Sequence, residues 1–226
     1  MGKATISKEV IGFLKDLKVN NNRDWFSQNK KTFKEVQETA RSFFSALNDR
    51  LNTHDEIEKL KMFRIYRDVR FSKDKSPYQP HFAGSFSRAG AHRRGGYYLR
   101  VRPGESFIAV GFWQPEPKDL LRIRKELERD AREFRSIIND KNFVGIWGPL
   151  VGEEVKTAPK GFSKDHPNID LIRKKGFIFV RNLSDKEVLS NDLLDTVDIS
   201  FQAVRPYFDY MSEVLTTNLN GESLLD

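Results

Sequence analysis

Apolar positions recur at helical spacing in the first quarter of the chain. Val10, Ile11, Leu14 and Leu17 follow Ser7, a residue type suited to capping, and predict a helix over 7–18. Three asparagines at 20–22 mark a turn that stops it. A second helix is expected around Arg23–Asn29. A longer one follows over Lys31–Leu51, with Phe33, Val36, Ala40, Phe43, Phe44 and Leu47 as its apolar stripe. Residues 52–61 are polar and read as a loop or a poor helix.

The period then changes. HFAGSFSR (81–88), YYLRVRP (97–103) and SFIAVGFW (106–113) are rich in aromatic and β-branched residues, the composition of strands. Pro103-Gly104-Glu105 predicts a tight hairpin between the last two. Residues 62–71 alternate in part and read as another strand. Between 88 and 96, RAGAHRRGG combines three glycines with four basic groups, His92 included, and has no apolar anchor. It is expected to be a mobile basic loop, placed to act as a lid.

Beyond Pro115 the helical period returns over Lys118–Arg129 and Ala131–Asn139. A loop-rich stretch at 145–168 leads to a short helix near Ile169–Lys174. One more strand is expected at GFIFVRNLS (176–184), then a terminal helix over 191–217 interrupted near Pro206. Helices, then a meander, then mixed elements predict an α+β fold. The sheet would be mostly antiparallel with flanking helices, in a single domain over 5–217 with a short tail at 218–226.

Composition narrows the chemistry. The 226 residues include 18 Phe, enough aromatic bulk for a core. With no cysteine, disulfides, thiolate nucleophiles and cysteine-held metal clusters are excluded. None of the four histidines pairs with another at metal-ligand spacing, and no metal or cofactor is expected. No apolar run is long enough for a membrane span. The N-terminal stretch MGKATISKEVIGFLKDLK is not a signal peptide, so a cytoplasmic location is expected, with no membrane partner.

Against 39 Lys and Arg stand 32 Asp and Glu, a net +7 interleaved along the chain. That balance supports at most weak, salt-sensitive nucleic-acid binding.

The densest basic segment is FRIYRDVRFSKDKSPYQPHF (63–82). As a strand it would place Arg67 among Phe63, Ile65, Val69 and Phe71, on an otherwise apolar face. A guanidinium there must be paired or must face a cavity. The turn at Ser72–Tyr78 could form an anion nest with its backbone N–H groups and lysines. TAPKGFSKDHP (157–167) adds Lys160 and His166 ahead of a short helix. Neither a P-loop nor a glycine-rich dinucleotide fingerprint is present. The candidate ligand-binding residues are therefore Arg67, Arg70, Lys73, Lys75, Tyr78, Lys160 and His166. The cations would neutralise a small phosphate- or carboxylate-bearing ligand. Tyr78 and His166 would donate hydrogen bonds, or move a proton if the ligand is turned over. Two alternatives stay open: a nucleic-acid module using the basic 88–94 loop, and a structural or partner-binding protein in which Arg67 is a buried brace. Trp25, Phe26, Trp113 and the Tyr97/Tyr98 pair are either core residues or stacking surfaces, with Trp113 placed at a sheet rim.

Five stretches together carry a resemblance: NNNRDWF (20–26), FRIYRDVRFSKDKSPY (63–78), GYYLRVRPGES (96–106), FWQPEP (112–117) and TAPKGFSKDHP (157–167). The chain resembles the domain-of-unknown-function family 2461 over roughly residues 5–215. The resemblance implies one family domain. It implies no activity and transfers no catalytic residue.

Overall fold

The computed structural model describes residues 4–225. The first three residues of the N-terminal stretch and the last residue of the expected tail lie outside the described residues.

Three helices come first: α1 (Lys8–Val19), α2 (Arg23–Gln28) and α3 (Lys30–Leu51). A meander follows, made of β1 (Ile57–Met62), β2 (Phe82–Arg88), β3 (Gly96–Val101) and β4 (Ser106–Phe112). Helices α4 (Pro117–Arg129), α5 (Arg132–Ile138), α6 (Lys141–Trp147) and α7 (Ile169–Ile172) precede β5 (Phe177–Leu183). The short α8 (Asp185–Val188), then α9 (Leu193–Gln202) and α10 (Arg205–Thr216), complete the order. The five strands form one antiparallel sheet in the order β1-β2-β3-β4-β5, an α+β architecture. Among the described residues no helix is long and apolar enough to cross a membrane.

The chain divides into two compact units. The first comprises the segment up to Phe86, Tyr98–Ile108 and Asn182–Ile199. The second comprises Ser87–Tyr97, Ala109–Arg181 and the segment from Ser200 onward.

In the first unit the stripe of α3 is the organising surface. Phe43, Phe44 and Leu47 are fully buried there. Phe33 and Phe44 stack on Phe82 and Phe86 of β2, at ring-centroid distances of 6.4 and 6.2 Å. Gly84 lies between those two strand residues because nothing larger fits. A Cβ there would stand 2.7 Å from the Phe44 ring. Leu99 and Val101 of β3 and Ile108 of β4 are likewise fully buried. Strand alternation turns Ser85, Tyr98, Arg100 and Phe107 to the opposite face, where they are half-buried. Between β3 and β4, Glu105 N–H donates to the Arg102 carbonyl at 2.9 Å, closing a turn with Gly104 at φ 74°. Proline followed by a positive-φ glycine is the type II pattern, and the turn joins β3 to β4 where a tight hairpin is expected.

In the second unit the core is aromatic. Tyr207 of α10 is completely buried; its hydroxyl donates to the Phe177 carbonyl at 2.7 Å, and its ring meets Phe179 edge-on. Burial pushes its phenol well above the ordinary range. Tyr97 packs between Phe201 and Phe208. The chain after α10 folds back, with Leu224 N–H donating to the Thr216 carbonyl at 2.7 Å.

Three expectations about the elements need correction. The polar stretch 52–61 contains β1, a strand at the sheet edge whose Glu58, Lys59 and Lys61 are exposed. Its alternation is short, exposed Lys59 and Lys61 against half-buried Leu60 and Met62, and is lost in a charged stretch; those charges discourage pairing with other chains. Residues 63–71, by contrast, are not a strand. Only an isolated bridge joins Tyr66 to Tyr78. The supposed apolar face dissolves, with Ile65 buried but Phe63 and Phe71 exposed. Helix α6, capped by the Asp140 carboxylate, was hidden by the glycine at 145 inside a short apolar pattern.

The loop at 88–96 is tied down, which contradicts the expected lid. Arg88 is buried, and its guanidinium lies 4.9 Å from the Phe208 ring centroid and donates to the Arg94 carbonyl at 2.9 Å. Arg94 N–H donates to Ser212 Oγ at 2.9 Å, and the Arg94 side chain pairs with Asp119. Cations expected to be free for nucleic acid hold the loop to α4 and α10 instead.

Candidate functional site

The three asparagines that stop α1 each have a separate task. Asn20 N–H donates to the Asp16 carbonyl at 2.9 Å and closes α1. The Asn22 side chain accepts from Trp25 N–H at 2.9 Å and caps α2. Asn21, between them, pairs with Tyr78, 57 residues away. Its Nδ2 donates to the Tyr78 carbonyl at 3.0 Å, and its Oδ1 accepts from Tyr78 N–H at 3.1 Å. This side chain imitates the neighbour strand that Tyr78 lacks.

Two motifs distant in sequence are thereby joined. Tyr78 stacks on Phe26 of α2, with centroids 4.0 Å apart and planes 14° from parallel. Tyr66 meets both rings. Phe26 and Tyr78 are buried, whereas Tyr66 is half-exposed. Burial, together with Tyr66, raises the Tyr78 phenol above its ordinary range, so at neutral pH it is a protonated donor.

Between Tyr66 and Tyr78 the chain makes a self-tied excursion. Arg67 N–H donates to the Pro77 carbonyl at 2.9 Å and Gln79 N–H to the Ile65 carbonyl at 2.6 Å. Pro77 and Pro80 lack the N–H groups a continuous ladder would need, so pairing stays local. Within the excursion the Arg67 guanidinium pairs with Asp74 and donates to Ser72 Oγ at 3.2 Å. Hydrogen bonds from Ser76, and then Arg67, hold the Asp74 carboxyl well below the usual carboxylate range. Arg70 makes a bidentate contact with Asp68. Lys75 Nζ donates to the Val69 carbonyl at 3.0 Å. Asp74 is 57% exposed, so Arg67 has no buried carboxylate to brace. The deeply buried arginine is Arg88, in the second unit.

A cleft of ≈ 410 Å³ opens against this excursion. Arg23, Ser27 and Lys30 line it from α2 and α3. Tyr66, Arg67 and Tyr78 line it from the excursion, with Phe26, Val69 and Pro77 as apolar wall. No lining residue is a carboxylate. Arg23 and Lys30 form no ion pair among the described residues. Of the residues singled out from sequence, Arg67 and Tyr78 line this cleft. Arg70, Lys73 and Lys75 belong to the same excursion but not to the lining. Arg23, Lys30 and Ser27 were missed, although NNNRDWF already carried the first. A helix surface gives no signal that it faces a cleft.

Lys160 and His166 belong to the second unit. His166 Nδ1 accepts from Asn168 N–H at 3.1 Å and its carbonyl from Ile169 N–H at 3.0 Å, so the imidazole shapes the turn into α7. Lys160 is exposed. Trp113, at the end of β4, is 70% exposed and lines a separate cleft of ≈ 200 Å³ with Gln114, Pro115 and Lys175. Among the described residues no cluster of three His, Asp or Glu stands ready for a metal ion.

No curated protein and no solved structure matches the chain. The family described as conserved hypothetical protein (DUF2461) matches residues 9–210, which include the asparagine clamp, the excursion and both loops that carry the candidate residues. The chain is therefore a member of the DUF2461 family.

Proposed function

We propose that the first unit binds a small ligand bearing a phosphate or carboxylate, in the cleft between α2 and the 66–78 excursion. The observation that carries this reading is the lining itself: three cations, three hydroxyl groups and no carboxylate. Arg67 is already paired with Asp74, but Arg23 and Lys30 bring positive charge to the same cleft, and an anion there is attracted to both. Arg67 presents a planar donor fork, while Arg23 and Lys30 supply charge that no carboxylate pairs with among the described residues. The Tyr78 hydroxyl, protonated at neutral pH, is able to donate to the anion. Arg70, Lys73, Lys75, Lys160 and His166 have no assigned contact with the ligand in this reading.

Thermal unfolding with and without phosphate tests it. At ~10 mM phosphate and a millimolar site, mass action adds about 1.4 kcal/mol, which raises Tm by about 3–5 °C. The Arg23→Ala/Lys30→Ala double variant removes two exposed side chains. It should keep its anion-free stability within ~0.5 kcal/mol and lose the phosphate response. A wild type indifferent to phosphate, sulfate and small carboxylates removes the proposal. So does a double variant that responds as fully as wild type.

A further inference from the structure

The first unit has a second surface that the anion cleft does not use. Helix α3 covers one face of the sheet; the other face carries aromatic rings in a row. Phe63, just after β1, lies 6.1 Å from Tyr98 of β3, and Tyr98 lies 5.5 Å from Phe107 of β4. Phe63 is 43% exposed. Cations stand over the ends of the row: Lys61 Nζ is 5.4 Å from the Phe63 ring, and the Arg100 guanidinium 4.3 Å from the Phe107 ring. Arg102 lies on the same face by strand alternation. One carboxylate, Glu105, stands near both arginines, at 3.9 and 3.4 Å, and is itself half-exposed. His81, next to this cluster, is kept neutral by its burial and by Arg100 and Arg102.

We propose that this face binds single-stranded nucleic acid. A row of rings running from the end of β1, past β2, to β3 and β4 offers successive π-faces, on which unpaired bases stack irrespective of sequence. The flanking cations match the phosphates between those bases, and Arg100 offers its own guanidinium plane for stacking. A duplex cannot use the rings, because its base faces are already stacked. An acidic peptide would use the cations but leave the rings without partners. Base faces and phosphates do not report the sugar, so RNA and DNA strands bind alike. The basic 88–94 loop takes no part, since its arginines are engaged in the second unit.

Fluorescence anisotropy of the full chain tests this with labelled oligo(U) and oligo(dT) of about 12 nucleotides, and with a duplex of the same length. Both single strands should bind. Three phosphate contacts give a log–log salt slope of about −2, an affinity loss of about 15-fold between ~50 and ~200 mM salt. The duplex should bind at least about tenfold more weakly. Phe63→Ala, at an exposed position, and Tyr98→Ala should each weaken single-strand binding about tenfold. Arg100→Gln should lower the salt slope by about 0.7. Melting curves confirm that each variant is folded; should Tyr98→Ala unfold, Phe63→Ala and Arg100→Gln decide the outcome. Absence of single-strand binding, duplex binding of equal strength, or tenfold preference for one sugar overturns the proposal. Full binding by folded Phe63→Ala overturns it too. Loss of binding in Arg67→Ala instead would place the nucleic acid in the anion cleft and also refute it.

Discussion

Replacing Asn21 by alanine should destabilise the protein more than replacing either asparagine beside it. Asn21→Ala removes both hydrogen bonds that a side chain makes to the Tyr78 backbone. An intramolecular hydrogen bond contributes about 1 kcal/mol, and somewhat more when the group left behind is shielded from water. Tyr78 is 5% exposed and stacked on Phe26, so its backbone regains solvent only if the excursion lifts away. The expected loss is about 2–3 kcal/mol, a Tm drop of about 4–12 °C for a chain of this length. Asn22→Ala removes one helix cap, at a cost of about 1 kcal/mol. Asn21→Asp keeps the acceptor for Tyr78 N–H and loses the donor, so it should fall between wild type and Asn21→Ala. Thermal unfolding of the four proteins by circular dichroism ranks them. Limited trypsin digestion gives a second reading, because a released excursion exposes Arg70, Lys73 and Lys75 to cleavage. If Asn21→Ala melts within a degree or so of Asn22→Ala and its excursion resists trypsin like wild type, the clamp does not hold the site together.

Gly84→Ala should cost about 1–3 kcal/mol, because its Cβ meets a Phe44 ring that is fully buried and cannot yield. Adding Phe44→Leu should recover part of the loss in denaturant titrations, and a second substitution that only deepens it would refute the steric cause. His81 is held down to about 4 by burial and by Arg100 and Arg102, against an ordinary value of 6.5. As pH falls between those values the unfolded chain takes up a proton that the folded one refuses, so stability is lost across that window. His81→Asn should flatten the wild-type decline there, and parallel profiles would refute this assignment.

The sequence spoke clearly where one face of an element is buried. The stripe of α3 and the alternation of β2, β3 and β4 stood out because burial enforces a period on them. β1 was missed because its alternation, Lys59 to Met62, is only four residues long and sits in a stretch of charges. The segment 63–71 misled in the opposite sense. Its residues alternate, yet Asp68 and Asp74 turn back on Arg70 and Arg67, and the prolines at 77 and 80 withhold the N–H groups a ladder requires. The candidate site was half legible. Basic density marked the excursion, but density counts charges without their partners. Asn21 was read only as a turn residue, since nothing in a run of asparagines reports a bond across 57 positions.

Partnership, more than position in a motif, separates these arginines by how open each is to a ligand. Arg88 is enclosed by the Phe208 ring and the Arg94 carbonyl, so a ligand would have to open the second unit to reach it. Arg70 is 77% exposed, but both Asp68 oxygens occupy its fork. An incoming phosphate would displace a carboxylate already in bidentate geometry, and the net gain would be small. Arg67 is intermediate: Asp74 and Ser72 hold it in place, yet it faces a cleft with no carboxylate of its own. Arg23 and Lys30 face the same cleft and form no ion pair among the described residues, so in the proposed reading an anion there gains their attraction without breaking an ion pair of theirs. The proposed anion site is thus placed where cations converge from different elements and the lining holds no carboxylate. In this chain the convergence depends on Asn21, which holds the excursion against α2.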